Sequence, residues 1–124
     1  MILGIGTDIL KIERIRNSFD DDNHAFIRKT FTENECTQAA QREDPILYYS
    51  TRFAGKEAVF KALGVQADFV RLNDIEILNE ESGQPKVTLL GNLKKVAKGK
   101  GIESIIISLS YDTEYAIAFA IAEQ

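Results

Sequence analysis

The sequence predicts one α+β domain over residues 1–124, with a mainly antiparallel sheet packed against one long central helix and several short helices. Three observations lead there. Residues 45 to 63 carry a helical pattern framed by Asp44 and Pro45, suited to the Ncap and N1 positions, and by Gly64, suited to the C-terminal stop. Two pairs of strand-like segments are joined by short polar turns, at Ser82-Gly83 and at Tyr111-Asp112-Thr113, as antiparallel hairpins require. A chain of 124 residues with 44% apolar content can bury one core.

Taken in order, residues 2 to 10 alternate as a strand, with Leu3, Ile5, Thr7 and Ile9 on one face and Gly4, Gly6 and Asp8 on the other. Ile12, Ile15 and Phe19 recur at helical spacing, giving a short helix that the acidic turn at 20 to 23 ends. Thr32 with Glu35 is a capping box, so a helix starts near 33 and runs towards 42. In the main helix, Phe53, Val59, Phe60 and Leu63 form one broad apolar side, and Ala54, Ala58 and Ala62 line another. "DIEILNEESGQPKVTLLG" reads as strand, turn and strand, with Pro85 opening the second strand. A lysine-rich helix over about 91 to 99 precedes two final strands. Ile105, Ile107 and Leu109 face inward on the first, whereas the second alternates Tyr115, Ile117, Phe119 and Ile121 with alanines. Large residues on one side and alanines on the other predict burial of both faces, by a helix or by another subunit.

Composition excludes several functions. The apolar start "MILGIGTDIL" has no basic leader and no run long enough to span a bilayer, so a cytoplasmic protein is expected. Cys36 alone cannot form an internal disulfide, and His24 lies too far from it in sequence for a Cys/His zinc pattern. A net charge of −4 gives no general reason to bind nucleic acid or anionic membrane, although Lys11, Arg14 and Arg16 oppose only Glu13, and Arg28 and Lys29 follow the acidic turn.

"GIGTD" is not a dinucleotide fingerprint, since Ile9 stands where the third glycine belongs. Asp8 is expected, from this stretch alone, to cap the next helix; its glycine neighbours would also let a ligand or another backbone approach. Glu57 and Lys61 fall between the two apolar zones of the main helix, a position that argues against free exposure and calls for a compensating partner. Should Asp8 and Glu57 converge, their hard oxygens would suit Mg²⁺, with Lys61 as a phosphate contact or proton carrier.

"GIGTDILKIERI", "FTENE", "RFAGKEAVFKALG" and "ISLSYDTEYAIAFA", in this order across nearly the whole chain, resemble the holo-acyl-carrier-protein synthase family of small phosphopantetheinyl transferases. The resemblance implies the 4′-phosphopantetheinyl transferase fold and Mg²⁺-dependent transfer of phosphopantetheine from coenzyme A to a serine of apo-acyl carrier protein. It also implies a homotrimer with active sites between subunits. Asp8 and Glu57 match the family's Mg²⁺ ligands, Lys61 a lysine near the transferring phosphate, and Gly64 the helix end near coenzyme A. Ser82, Gly83 and Pro85 match a nucleotide-lining loop, and Ser110 a nucleotide-contacting serine. Arg52 is a candidate to neutralise phosphate or, alternatively, to form a surface or intersubunit ion pair, and Arg42 and Lys86 are candidates for the 3′-phosphate. Arg14 matches an arginine that meets the acidic carrier protein, and Phe26 and Arg28 extend that patch.

The chain departs from the pattern at Tyr111, where many members have histidine, and at Ser82, where many have asparagine. Both changes bear on nucleotide contacts and leave the carboxylates untouched. The proton acceptor stays open among Asp8, a metal-bound water and Lys61. Alternative functions are a non-catalytic coenzyme A or nucleotide-binding module, a pyrophosphate hydrolase, and a transferase serving carrier domains of secondary metabolism.

Overall fold

The structure, a computed structural model, describes residues 1–20, 24–66 and 71–124. Strand β1 (Ile2–Lys11) leads into helices α1 (Ile12–Asp20), α2 (His24–Thr30), α3 (Glu33–Ala40) and α4 (Pro45–Leu63). A 3₁₀ turn (Leu72–Asp74) precedes the hairpin of β2 (Ile75–Asn79) and β3 (Pro85–Leu89), followed by α5 (Gly91–Gly99), β4 (Ser104–Tyr111) and β5 (Tyr115–Glu123). The acidic turn expected after α1 falls, from residue 21 to 23, outside the described residues. Helix α2 is a departure from the sequence reading. Its seven residues are too few to show a helical period, and it is held by the packing of Phe26 against Phe19, Phe31 and Phe53.

The strands form two antiparallel sheets, one ordered β1-β5-β4 and the other β2-β3. Register explains how the larger sheet meets α4. Gly4, Gly6, Asp8 and Leu10 pair with Ala122, Ala120, Ala118 and Ala116, so one face carries little side chain across the β1-β5 rows until Asp8. Helix α4 lies on that face with Ala54, Ala58 and Ala62 buried. A Cβ at Gly4 would sit 1.9 Å from the Ala62 carbonyl oxygen, and one at Gly6 would sit 2.0 Å from that of Ala58. The glycines of "GIGTD" therefore admit another backbone, that of α4.

The caps form as expected. Thr32 and Glu35 make a reciprocal capping box, Asp44 accepts from the Leu47 N–H, and Gly64 ends α4 in the left-handed conformation at φ 66°. Helix α3 stops two residues short of the expected 42. Within the single chain, β5 has one face covered by a helix, as expected, and the other open. Its alanines are buried under α4, whereas Ile117 and Phe119 are each 44% exposed. Ile5 and Ile9 of β1 and Ile106 of β4 join them on an open apolar surface. Among the described residues no helix is long and apolar enough to cross a membrane.

Candidate active site

Asp8 continues the glycine face of β1 and emerges beside α4, at the level of Glu57 and Lys61. It lies inside the strand, four residues before α1, and does not cap that helix; the capping expectation is corrected because the strand runs on to Lys11. Lys61 Nζ is 3.3 Å from Asp8 Oδ1 and donates to the Thr7 carbonyl at 3.0 Å. The Lys61 side chain is 51% exposed, against the expectation from its place between the two apolar zones, because α4 ends at the sheet margin and the side chain crosses to β1. Glu57 is half-buried. Burial first and the Asp8 charge second raise its carboxyl above the ordinary 4.5, with Lys61 opposing them.

A half-buried Glu57 beside the Asp8 carboxylate fits a cation held by hard oxygens. Among the described residues no cluster of three or more His, Cys, Asp or Glu could hold a metal. A pair suits Mg²⁺, which commonly takes one or two carboxylates and completes its shell with waters and phosphate oxygens.

A second feature lies elsewhere. A cleft of about 730 Å³ between the β2-β3 hairpin and β4 is lined by Arg52, Asn79, Gly83, Pro85, Lys86, Ser104, Tyr111 and neighbouring residues. Gly83, at φ 90°, gives the hairpin its turn. Ser82 accepts from the Gln84 N–H and Ser110 precedes Tyr111, so both flank the lining without belonging to it. Asp8, Glu57, Lys61 and Gly64 do not line it.

Arg52 is 5% exposed, and burial pulls its guanidinium down from the ordinary range. Nε donates to the Ile77 carbonyl at 3.3 Å, Nη1 to Thr51 Oγ1 at 3.1 Å, and Nη2 to Asn79 Oδ1. Among the described residues it makes no ion pair with a carboxylate.

The sequence reading missed a buried ion pair next to Glu57. Lys56 and Glu35 are both fully buried and 2.6 Å apart. Burial pushes Glu35 up and Lys56 down, and their mutual attraction opposes both shifts. Glu35 also accepts from the N–H groups of Thr32 and Ile77, and Lys56 donates to the carbonyls of Leu72 and Ile75. The pair stitches α3 and α4 to the start of β2. A lysine beside alanines in an apolar helix, matched to a glutamate at N3 of a capping box, was the available signal.

The basic residues expected to meet a partner are spread over the helices before α3. Arg14 is exposed on α1 and Arg28 is exposed at the end of α2, while Phe26 is half-buried with its ring in the aromatic cluster. Arg42 lies 5.8 Å from the Tyr48 ring centroid.

Residues 4–120 match the family described as the 4′-phosphopantetheinyl transferase superfamily. The chain belongs to that superfamily. Among relatives of this transferase, a holo-[acyl-carrier-protein] synthase of Desulforudis audaxviator is 41% identical over 124 residues, covering 98% of this chain and 93% of the relative. The crystal structure of a holo-[acyl-carrier-protein] synthase from Neisseria meningitidis matches with a TM-score of 0.90 at 32% identity, covering 100% of both chains. A Bacillus anthracis holo-(acyl-carrier-protein) synthase in complex with CoA (3′,5′-ADP) matches with a TM-score of 0.82 at 30% identity, covering 100% of this chain and 98% of that one. The transferase fold accordingly agrees with the α+β class read from the sequence.

Proposed function

We propose that this chain transfers the 4′-phosphopantetheine arm of coenzyme A to a serine of apo-acyl carrier protein. The products are holo-acyl carrier protein and adenosine 3′,5′-bisphosphate, and the reaction is a Mg²⁺-dependent, cytoplasmic step of fatty acid biosynthesis. Residues 1–124 serve as one transferase domain. The observation that carries this reading is the meeting of Asp8, Glu57 and Lys61 on the seam of β1 and α4, in a chain whose family match runs over 4–120.

Asp8 and Glu57 are the groups that would hold Mg²⁺. Bound there, the ion supplies charge neutralisation for the pyrophosphate and for the leaving 3′,5′-ADP. Lys61, already donating to Asp8 and to the Thr7 carbonyl, meets the transferring phosphate as a point charge from an exposed stem. The Asp8 carboxylate, 18% exposed, is an acceptor for the proton that the attacking serine loses.

Arg52 supplies the nucleotide half. A buried guanidinium without a carboxylate partner among the described residues favours an anion, and a phosphate of coenzyme A fits its fork. Gly83 and Pro85, with Ser82 and Ser110 beside them, form the nucleotide edge of the cleft. Gly64 lets the cofactor pass the end of α4.

The carboxylate set and the Arg52 cleft do not share a lining within one chain. A homotrimer that sets α4 of one subunit against the cleft of the next would unite them. The open apolar face of Ile5, Ile9, Ile106, Ile117 and Phe119 supports such an assembly. Arg14 and Arg28, with the exposed part of Phe26, offer charge and an anchor to an acidic carrier protein.

Intact mass spectrometry of apo-acyl carrier protein incubated with this protein, coenzyme A and Mg²⁺ tests the reading. The carrier should gain one phosphopantetheine, and EDTA should abolish the gain. Asp8→Ala and Glu57→Ala should each lower the rate by roughly 100-fold or more. Full activity in either variant would reject the metal assignment. Cleaved coenzyme A with unmodified carrier would make the protein a hydrolase.

A further inference from the structure

The pose of Arg52 is set by more than its direct partners. Its Cζ sits 3.9 Å from the centroid of the Tyr48 ring, and its Nη2 donates to Asn79 Oδ1. Behind these lies one carboxamide on α3. Gln38 Nε2 donates to the Asn79 carbonyl at 3.0 Å, while Gln38 Oε1 accepts from the Asn79 N–H at 3.0 Å and from the Tyr48 hydroxyl at 2.8 Å. Holding both the N–H and the carbonyl of Asn79 fixes the last residue of β2, and with it the acceptor for Nη2. The same amide fixes the ring on which the guanidinium stacks. Neither Gln38 nor Tyr48 lines the cleft, so neither is placed to touch a ligand there.

We propose that Gln38 and Tyr48 are positioning residues that hold the Arg52 guanidinium in place for a phosphate of coenzyme A. The inference rests on the reading of the cleft as the nucleotide half of the active site. A planar fork pairs most tightly with phosphate when its plane is set in advance, because a long side chain free to rotate loses affinity through the entropy of ordering it. Since the remote nucleotide is bound alike before and during the chemical step, loss of this support raises KM for coenzyme A and leaves kcat near its wild-type value.

The test is calorimetric titration of coenzyme A into the assembled protein, with steady-state kinetics, for wild type, Gln38→Ala, Tyr48→Phe, Arg52→Gln and the Gln38→Ala/Arg52→Gln double variant. Gln38→Ala should raise Kd and KM for coenzyme A roughly 5- to 10-fold, with kcat within about twofold and carrier KM unchanged. Tyr48→Phe, which keeps the ring and removes one hydroxyl, should shift Kd in the same direction by a smaller factor. In the Arg52→Gln background, Gln38→Ala should add less than about twofold, because it acts through the missing guanidinium. Wild-type affinity in Gln38→Ala and Tyr48→Phe, or an undiminished further loss in the double variant, overturns the proposal. If Gln38→Ala does not fold, Tyr48→Phe decides: a raised Kd supports the proposal and an unchanged one overturns it. A wild-type protein that neither binds coenzyme A nor modifies the carrier overturns the functional reading, and this inference with it.

Discussion

Asp112 shows how much one exposed side chain can organise. Its Oδ1 accepts from the Glu114 N–H at 2.8 Å and the Tyr115 N–H at 2.7 Å, closing the turn between β4 and β5. These bonds, that to Tyr115 foremost, hold its carboxyl below the ordinary 3.8. A depressed folded value means that the stabilisation is complete above the unfolded pKa and is lost as pH falls through the folded one. The wild type should therefore melt higher than Asp112→Ala at neutral pH, with the gap closing progressively below about pH 3.8. A gap independent of pH in scanning calorimetry would show that the carboxylate charge contributes nothing there. At this scale the sequence was legible wherever a residue acts on its own neighbours. Asp44, Gly64 and the Thr32/Glu35 box were readable because capping depends on separations of a few residues. Lys61 was misjudged because its partner, Asp8, is distant in sequence.

At the scale of elements, the contact between β1 and α4 depends on absent side chains. Gly4 and Gly6 face the carbonyls of Ala62 and Ala58, and the alanines of β5 continue the same shallow surface. That closeness brings Asp8 to Glu57 and Lys61, so the packing seam and the carboxylate site are one structure. Gly6→Ala should cost about 3 kcal/mol or more, since a Cβ 2.0 Å from a carbonyl oxygen cannot be relieved by a side-chain rotation. Calorimetry should show Tm lowered by roughly 10 °C or more, and coenzyme A turnover should fall as Asp8 is pushed from α4. An unchanged Tm would mean that the helix can lift away from the strand at little cost. The alanine spacing of α4 was visible in the sequence, as were both hairpins. The pairing of α3 with β2 was not, because the partners of Glu35, Gln38 and Lys56 are distant in sequence and meet them only once the chain has folded.

For the whole molecule, the proposed assembly rests on the outer face of the β1-β5-β4 sheet, where Ile5, Ile9, Ile106, Ile117 and Phe119 are exposed. Ile5, Ile117 and Phe119 each stand between glycines or alanines that α4 covers, Ile9 stands between Asp8 and Leu10, and Thr7, Ser108 and Ser110 share the outward face with them. Phe119→Arg places a charge on that face and should convert the proposed trimer to a species of one-third its mass in analytical ultracentrifugation. Transferase activity should be lost with it, since the carboxylate set and the Arg52 cleft would no longer meet. A variant that stays assembled, or a monomer that keeps full activity, would place the interface or the complete site elsewhere.

The sequence by itself determined the α+β class, the order and caps of α3 and α4 and the two hairpins, and it singled out Asp8, Glu57 and Lys61 as candidates whose meeting only the fold could show. Each of these follows from local periodicity, from spacing within a turn, or from a family pattern carried by contiguous motifs. Tertiary structure alone decided that α4 lies on a glycine-alanine floor, that Lys56 is the buried lysine and Lys61 the exposed one, and that α3 braces the Arg52 cleft. Those facts depend on which distant segments share one volume. Burial, and with it the cost or worth of each charge, is fixed only when the chain has closed on itself.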